Sequence, residues 1–497
     1  MNLEIVVFMA YFIILFGVSL IFFFNGSNKG EKDYFLGGRK MGPWVTAMSA
    51  QASDMSGWLL MGLPGSVLAF GFGQMWIGIG LALGTAANWI LCAKRLRKFS
   101  QAANDSITVP QYLTNRFASK SKVLQIVCAV IFLIAFTVYV ASAFVSGATV
   151  FTQLFQNMSE KTAMLIFAVI IVAYTFLGGF KAVCWTDFFQ GILMLLALLA
   201  IPIVILATQK LDTAELLKVY SYTDGGKEVI CSFGNGLFDS SWQEIVTGLG
   251  WGLGYFGMPH IIVRFMSIEK PSMVKKSATV AIVWVILSLG AAVLVAYLGR
   301  MIIAEELLTK GAQKTVFIVL ARMFFPAGIS GFLLAAIIAA AVSTADSQLL
   351  VASSSFASDI YKPIFRKNAS DREMLWVGRL VVMLCAIVAF LISSSKGSGA
   401  QAIMNLVENA WGIFGAAFGP VMILSYFWRR FNYAGACAGV IVGALVDIIW
   451  LYCCSSTGIY EIVPGFLCGL IASVVVTLLT KAPSKEATDI FDAAVAD

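Results

Sequence analysis

Charge is scarce in this chain. Asp, Glu, Lys and Arg make up 12% of its 497 residues, against roughly 25% in soluble domains. A fold with an ordinary water-facing surface is therefore excluded. Histidine is almost absent, His260 being the single one. The nine cysteines (Cys92, Cys128, Cys184, Cys231, Cys385, Cys437, Cys453, Cys454 and Cys468) form no C-x-x-C pair, and all but Cys231 lie in or beside apolar runs. A structural zinc site and a disulfide framework are argued against on that pattern. No nucleophile–base pair is apparent, which argues against an enzyme. The longest polar loop, about Lys210 to Ser241, holds the turn-prone Asp224-Gly225-Gly226 and Gly234-Asn235-Gly236 but is too short for a soluble domain. The first apolar run, roughly Leu3 to Phe24, lacks a basic lead and an A-x-A cleavage site. It reads as a retained membrane helix rather than a signal peptide.

What is present is apolar residue, 59% of the chain, in repeated runs of about 20 residues, the length that crosses a bilayer. The expected fold class is an all-α polytopic membrane protein with about thirteen transmembrane helices. They fall near 4–25, 44–71, 74–93, 123–155, 162–178, 187–209, 242–266, 277–303, 323–352, 374–395, 402–427, 434–454 and 460–480. Lys and Arg gather in alternate connections: Lys29 to Lys40, Lys94 to Lys122, Lys181, Arg264 to Lys276, Lys362 to Arg379, Arg429 and Arg430, and Lys481 and Lys485. By the positive-inside rule the N-terminus is outside and the C-terminus inside. The net charge of +7 then reflects cytoplasmic anchoring in the lipid bilayer, not nucleic acid. No obligate protein partner is evident.

Setting aside the first helix (4–25) and the last two (434–480) leaves ten helices in two runs of five, 44–209 and 242–427. A polar tail, 481–497, remains on the cytoplasmic side. A repeat with an odd number of spans inserts in opposite orientations, the inverted arrangement of LeuT-type transporters, whose first repeat helices are broken at mid-membrane beside the site. Both expected first helices carry such a weakness. Helix 44–71 contains Ser49-Ala50-Gln51-Ala52-Ser53-Asp54-Met55-Ser56-Gly57, small and polar throughout. Helix 242–266 contains Gly248, Gly250, Gly252, Gly254 and Gly257, then Pro259. Glycine weakens a helix interior by about 1 kcal/mol relative to alanine and proline by about 3.

Asp54 is the charge that needs a reason, since an ionised side chain at the bilayer centre costs roughly 2.5–3.5 kcal/mol even on lenient scales. An unwound turn there frees the carbonyls of Ala52 and Met55. Helix 323–352 offers Ala340, Ser343, Thr344 and Ser347 at i, i+3, i+4, i+7, hence on one face. Carbonyls and hydroxyls facing each other suit a hard monovalent cation such as Na+. The competing use of Ser and Thr is to bond their own i−4 carbonyls. Trp251, Tyr255 and Pro259 follow at i, i+4, i+8, and Tyr139 is another aromatic with a polar end in an apolar span; together they suit a small organic solute. Packing alone would also place aromatics so. Asp187, expected to open helix 187–209, serves as an interfacial acid or forms a second cation cluster with Ser343, Asp346 and Ser347. His260 reads as a structural hydrogen-bonder. Glu408 and Asp447 lie within expected spans without an assigned role.

The residues Tyr34-Phe35-Leu36-Gly37-Gly38-Arg39, Ala52 to Gly65, Tyr174 to Phe180, Trp185-Thr186-Asp187, Trp251 to Gly257 with Pro259-His260, Ser343-Thr344 and Phe414 to Pro420 resemble the sodium:solute symporter family over nearly the whole chain. The resemblance implies sodium-coupled import of L-proline across a bacterial inner membrane. It implies a sodium site on Ala52, Met55, Ala340, Ser343 and Thr344, with Asp54 beside it. It places proline at Tyr139, Trp251, Tyr255 and Pro259, with Ser56 and Gly57 near both ligands, and Arg39 at the cytoplasmic gate. Met258 stands where some relatives carry glutamine, so pantothenate, another amino acid or a small carboxylate is an alternative solute. Asp346 stands where some proline carriers are uncharged, which leaves the number of sodium ions open. A membrane sensor is the rival from another class, and the short polar tail argues against it.

Overall fold

The computed structural model describes residues 3–24, 30–155, 157–224, 226–234, 236–396 and 402–496. Long apolar helices dominate. Helix α1 is Leu3–Phe24, followed by a short turn of helix, Glu31–Leu36. The first expected repeat helix divides into α2, Pro43–Asp54, a π turn at Trp58–Gly62 and α3, Leu63–Phe70. Then come α4 (Phe72–Ala87, carried on through a π turn to Ala102), α5 (Val109–Arg116), α6 (Val123–Leu154), α7 (Glu160–Gly178) and α8 (Phe180–Thr208). The second run has α9 (Trp242–Gly250), a 3-10 segment Trp251–Phe256 and α10 (Pro259–Ser267). It continues with α11 (Val274–Leu308), α12 (Val316–Phe324), α13 (Ala327–Ser355), α14 (Asp371–Lys396) and α15 (Ala402–Phe427). The chain ends on α16 (Tyr433–Cys453), α17 (Ile462–Leu479) and α18 (Lys485–Val495). Among the described residues, nine helices are long and apolar enough to cross a membrane, and Leu3–Val18 and Trp58–Phe70 are shorter apolar helices.

Three departures from the sequence reading have local causes. Helix α8 begins at Phe180, not at Asp187, because Gly179 takes a positive φ of 76° and the next helix starts directly after it. Asp187 is therefore inside a helix and fully buried. The polar loop after α8 contains a hairpin, β1 (Tyr220–Asp224) antiparallel to β2 (Lys227–Cys231). Arg300 of α11 pins it by donating to the carbonyls of Lys218 at 2.5 Å and Cys231 at 3.3 Å. The polar tail holds α18, capped by Ser484. It is docked by Phe491 against Phe99, ring centroids 5.3 Å apart, and by an Arg429–Asp492 ion pair.

The second break is positioned by close backbone contact. Gly80 and Gly84 of α4 face Gly248 and Gly252 so closely that a Cβ on either side would overlap the opposing chain. The glycines therefore weaken the helix and also let α4 lie against it. The 3-10 segment ends at Gly257, and Met258, in extended backbone, precedes Pro259 at the first turn of α10, the helical position proline tolerates best.

Candidate functional site

At the first break, Met55 leaves the helix with φ −83° and ψ 80°. The Ser56 N–H turns back to the Asp54 carbonyl at 3.0 Å, so the Ala52 carbonyl loses its usual i+4 partner. Ser343 of α13 meets that carbonyl. Its Oγ lies 2.7 Å from the Ala52 oxygen and 3.1 Å from the Ala340 oxygen. One hydroxyl proton serves only one acceptor at a time, so three oxygens converge on a point with one proton among them. Thr344, the next residue, is buried and its Oγ1 has no hydrogen-bond partner. It does not take the i−4 carbonyl, the ordinary resort of a helical threonine. The chain thus brings together Ala52, Ala340, Ser343 and Thr344 beside the break at Met55, from positions almost 300 residues apart.

Asp54, 5% exposed, accepts a hydrogen bond from the Tyr255 hydroxyl at Oδ2, 2.5 Å away. This bond joins one broken helix to the other. Tyr255 is held in turn by Asn88, whose side-chain amide donates to its carbonyl at 2.8 Å. Its ring meets Trp411 edge-on at 5.1 Å. Trp251 stacks on Trp58 at 5.6 Å, and its carbonyl accepts from the Trp411 indole at 2.8 Å. Trp251 and Tyr255 lie on the 3-10 segment and Pro259 on α10, so the expected single-helix stripe is divided between two elements. Tyr139 is buried on α6 with its ring edge-on to His260, 6.4 Å away. Ser56 caps the restart of the chain, its Oγ accepting from the Trp58 N–H at 3.2 Å. Gly57 lies against Ser146: a Cβ there would stand 2.6 Å from the Ser146 Cβ.

A family profile, the sodium:solute symporter family, matches residues 34–443. The chain belongs to that family. It is 44% identical over 467 residues to the high-affinity proline transporter PutP of Bacillus subtilis (strain 168), covering 93% of this chain and 95% of the relative. It is 43% identical to the sodium/proline symporter of Escherichia coli (strain K12), covering 95% and 92%. Among solved structures it is similar to a Na+-coupled sialic acid symporter in a substrate-bound outward-open state, with TM-score 0.74, 20% identity and 97% and 99% of the two chains covered. It is also similar to Mhp1, a nucleobase-cation-symport-1 family transporter, with TM-score 0.58, 15% identity and 94% and 99% covered. The fold is the LeuT type, two inverted repeats of five helices each.

In this symporter the second acidic cluster already holds a positive charge. The Arg264 Nη2 donates to Asp187 Oδ2 at 3.2 Å and to Ser347 Oγ at 2.5 Å, and Nε to Ser49 Oγ at 3.1 Å. Its Nη1 donates to the His260 carbonyl at 2.5 Å. Ser49 donates to the same Asp187 oxygen at 2.7 Å, and Ser347 Oγ lies 3.3 Å from Asp346 Oδ1. The sequence reading left Asp187 as an interfacial acid or as part of a cation cluster with Ser343, Asp346 and Ser347, and left Arg264 with the inside loops. Its signal was available: an arginine four residues after His260, within the expected span 242–266. His260 is fully buried, its ring edge-on to Phe136 at 5.6 Å and to Tyr139 at 6.4 Å.

Arg39 is buried just ahead of α2. It sits in a left-handed backbone conformation, φ 54°, after Gly37 and Gly38 with φ 64° and 63°. Its guanidinium donates to Asp105 Oδ1 at 2.7 Å, Ser100 Oγ at 3.0 Å, the Met266 carbonyl at 2.5 Å and the Ser106 carbonyl at 2.7 Å. Burial pushes this guanidinium down to about 10, and Asp105 opposes the fall, so Arg39 stays charged at neutral pH. Beside it the Met41 N–H donates to the Ser267 carbonyl at 3.2 Å and the Glu269 N–H to the Met41 carbonyl at 3.0 Å. The start of α2 and the end of α10 are thereby tied together.

Proposed function

We propose that this chain is a secondary active symporter that couples inward sodium flow to L-proline uptake across the bacterial inner membrane. The observation that carries the reading is the convergence of the Ala52 and Ala340 carbonyls on Ser343 Oγ, beside the unpartnered Thr344 hydroxyl. With Met55 at the break, these groups would hold sodium by neutral oxygens alone. Asp54, bound by Tyr255, keeps the unwound backbone in place and lowers the local potential. The identity of the solute is supported by the two proline-carrying relatives. Its apolar ring would meet Tyr139, Trp251, Tyr255 and Pro259, and its charged ends the free helix termini beside Ser56 and Gly57. At the second cluster the cation is the chain's own Arg264, and one sodium is assigned.

Sodium draws α2 to α13 and so shapes the solute pocket. The coupling between the two ligands is reciprocal, each tightening the other. One charge moving inward yields about 2.3 kcal/mol per 100 mV of membrane potential. The repeats, 44–209 and 242–427, rock about the site, with Arg39 releasing the cytoplasmic end. Helix 4–25 and helices 434–480 flank this core, the N-terminus outside and the C-terminus inside.

The test is binding of labelled proline to the purified protein. Binding that requires sodium and is lost when potassium replaces it supports the reading. Displacement by pantothenate, another amino acid or a small carboxylate at lower concentration than unlabelled proline overturns the solute assignment. Equal binding in potassium overturns the ion assignment.

A further inference from the structure

Three carboxylates gather away from the symport site, on the last three membrane helices. Glu408 is on α15, Asp447 on α16, and Glu461 immediately precedes α17. Asp447 and Glu461 are 2% and 6% exposed, and Asp447 Oδ1 and Glu461 Oε1 have no hydrogen-bond partner. Both oxygens aim at one place on the α15 backbone. A Cβ added to Gly412 would stand 3.0 Å from Asp447 Oδ1 and 3.4 Å from Glu461 Oε1.

The surroundings supply no opposite charge. Helix α16 packs against α17, α15, α6 and the turn Ser455–Thr457, and α17 packs also against α9 and the 3-10 segment. None of these elements contains a Lys, Arg or His. The acids they present are Glu408 from α15 and Glu244 from α9. Their remaining titratable groups are tyrosines and cysteines, including Tyr139 on α6, Tyr255 on the 3-10 segment and Tyr460 beside Glu461. Two unpaired carboxylates facing one point in an interior of low polarity do not both ionise.

We infer that Asp447 and Glu461 form a proton-binding site, with one proton shared between the two carboxyl groups over Gly412. The site abuts the aromatic wall of the solute pocket. Trp411 precedes Gly412 and donates its indole N–H to the Trp251 carbonyl at 2.8 Å. Tyr460 precedes Glu461, its ring 5.2 Å from that of Trp251 and its hydroxyl donating to the Glu408 carbonyl at 2.7 Å. A cavity of about 230 Å³ lined by Glu244, Trp251 and Glu408 among others lies beside this aromatic wall. Loss of the proton sets like charges on α16 and at the start of α17, both facing Gly412 of α15, which loosens the packing around Trp411 and Tyr460. Solute binding then weakens at alkaline pH.

The proton site does not depend on which solute is carried; only its effect on affinity rests on the proposed function. Infrared spectra of the purified, solute-free protein test the site directly. A protonated-carboxyl component that titrates away on the alkaline side is expected, and both Asp447→Asn and Glu461→Gln should abolish that titration. Unchanged spectra in both variants overturn the proposal. Loss of the component on adding sodium or calcium at constant pH also overturns it, by making the pair a metal site. The second readout is proline affinity. The wild type should weaken about fivefold to tenfold between about pH 6 and about pH 9, the scale of one like-charge repulsion in a partly hydrated interior, and Glu461→Gln should stay flat. A Glu461→Gln variant with the wild-type pH profile overturns the coupling.

Discussion

Tyr255 donates its hydroxyl to Asp54 at 2.5 Å, and in doing so ties the two broken helices of the fold together across 201 positions of sequence. The carboxylate that looked unaccountable in an apolar span thus has a partner from the other repeat. Removing the hydroxyl as Tyr255→Phe leaves the ring packing and strands Asp54. A hydrogen bond to a charged group contributes about 1.5–3 kcal/mol. Proline affinity measured by equilibrium binding should fall about tenfold or more, with the protein still folded.

Ser343 and Thr344 are expected to act on sodium first. Ser343→Ala with Thr344→Ala removes two hydroxyls but leaves both carbonyls. The sodium concentration for half-maximal uptake should rise about tenfold to a hundredfold, equivalent to roughly 1–3 kcal/mol. An unchanged sodium dependence would place the ion elsewhere.

Gly57 is set by its neighbour rather than by its own dihedral angles, since φ is −50° there. Alanine would bring a methyl to 2.6 Å from the Ser146 Cβ. Gly57→Ala should cost about 1–3 kcal/mol through overpacking and reduce uptake. Adding Ser146→Gly should restore part of it, which transport assays on the single and double variants would reveal.

Arg264 is buried with Asp187. Removing one partner of such a pair destabilises by about 3–5 kcal/mol because the other charge stays buried alone. Arg264→Gln should therefore lower the melting temperature strongly, and Arg264→Gln with Asp187→Asn should recover much of the loss. If the double variant melts lower than the single, the two charges do not answer each other.

The contact between Arg39 and Asp105 has its own pH signature. Burial pushes the Asp105 carboxyl up, but Lys32 and Arg39 together outweigh it and hold it below the usual carboxylate range. A carboxylate depressed in the folded state stabilises above its unfolded value, about 3.9, and that contribution is lost as pH falls through the folded value. The contact should be unchanged from neutral pH down to mild acid. Asp105→Asn should loosen it throughout. Hydrogen exchange over residues 37–41 and 100–106 would rise in the variant at neutral pH.

Much of the fold was legible because a bilayer imposes length and polarity on every span. The apolar runs, the small polar stretch around Asp54 and the glycines before Pro259 are one-dimensional signals of helices and of where helices fail. The facing set Ala340, Ser343, Thr344 and Ser347 was legible too, because helical periodicity alone fixes a shared face. Tertiary structure decided which oxygens meet. No local pattern tells that Ser343 reaches the Ala52 carbonyl, or that Tyr255 reaches Asp54. Arg264 shows the limit most clearly. Counting charges by loop put it at the membrane surface, whereas α10 restarts at Pro259 and turns that side chain inward to Asp187 and Ser347. The same holds for Asp447 and Glu461, whose meeting over Gly412 depends on three helices packing together. Sequence composition set the solvent and the spans, and packing set the partners, because burial of a charge is settled by what surrounds it in space.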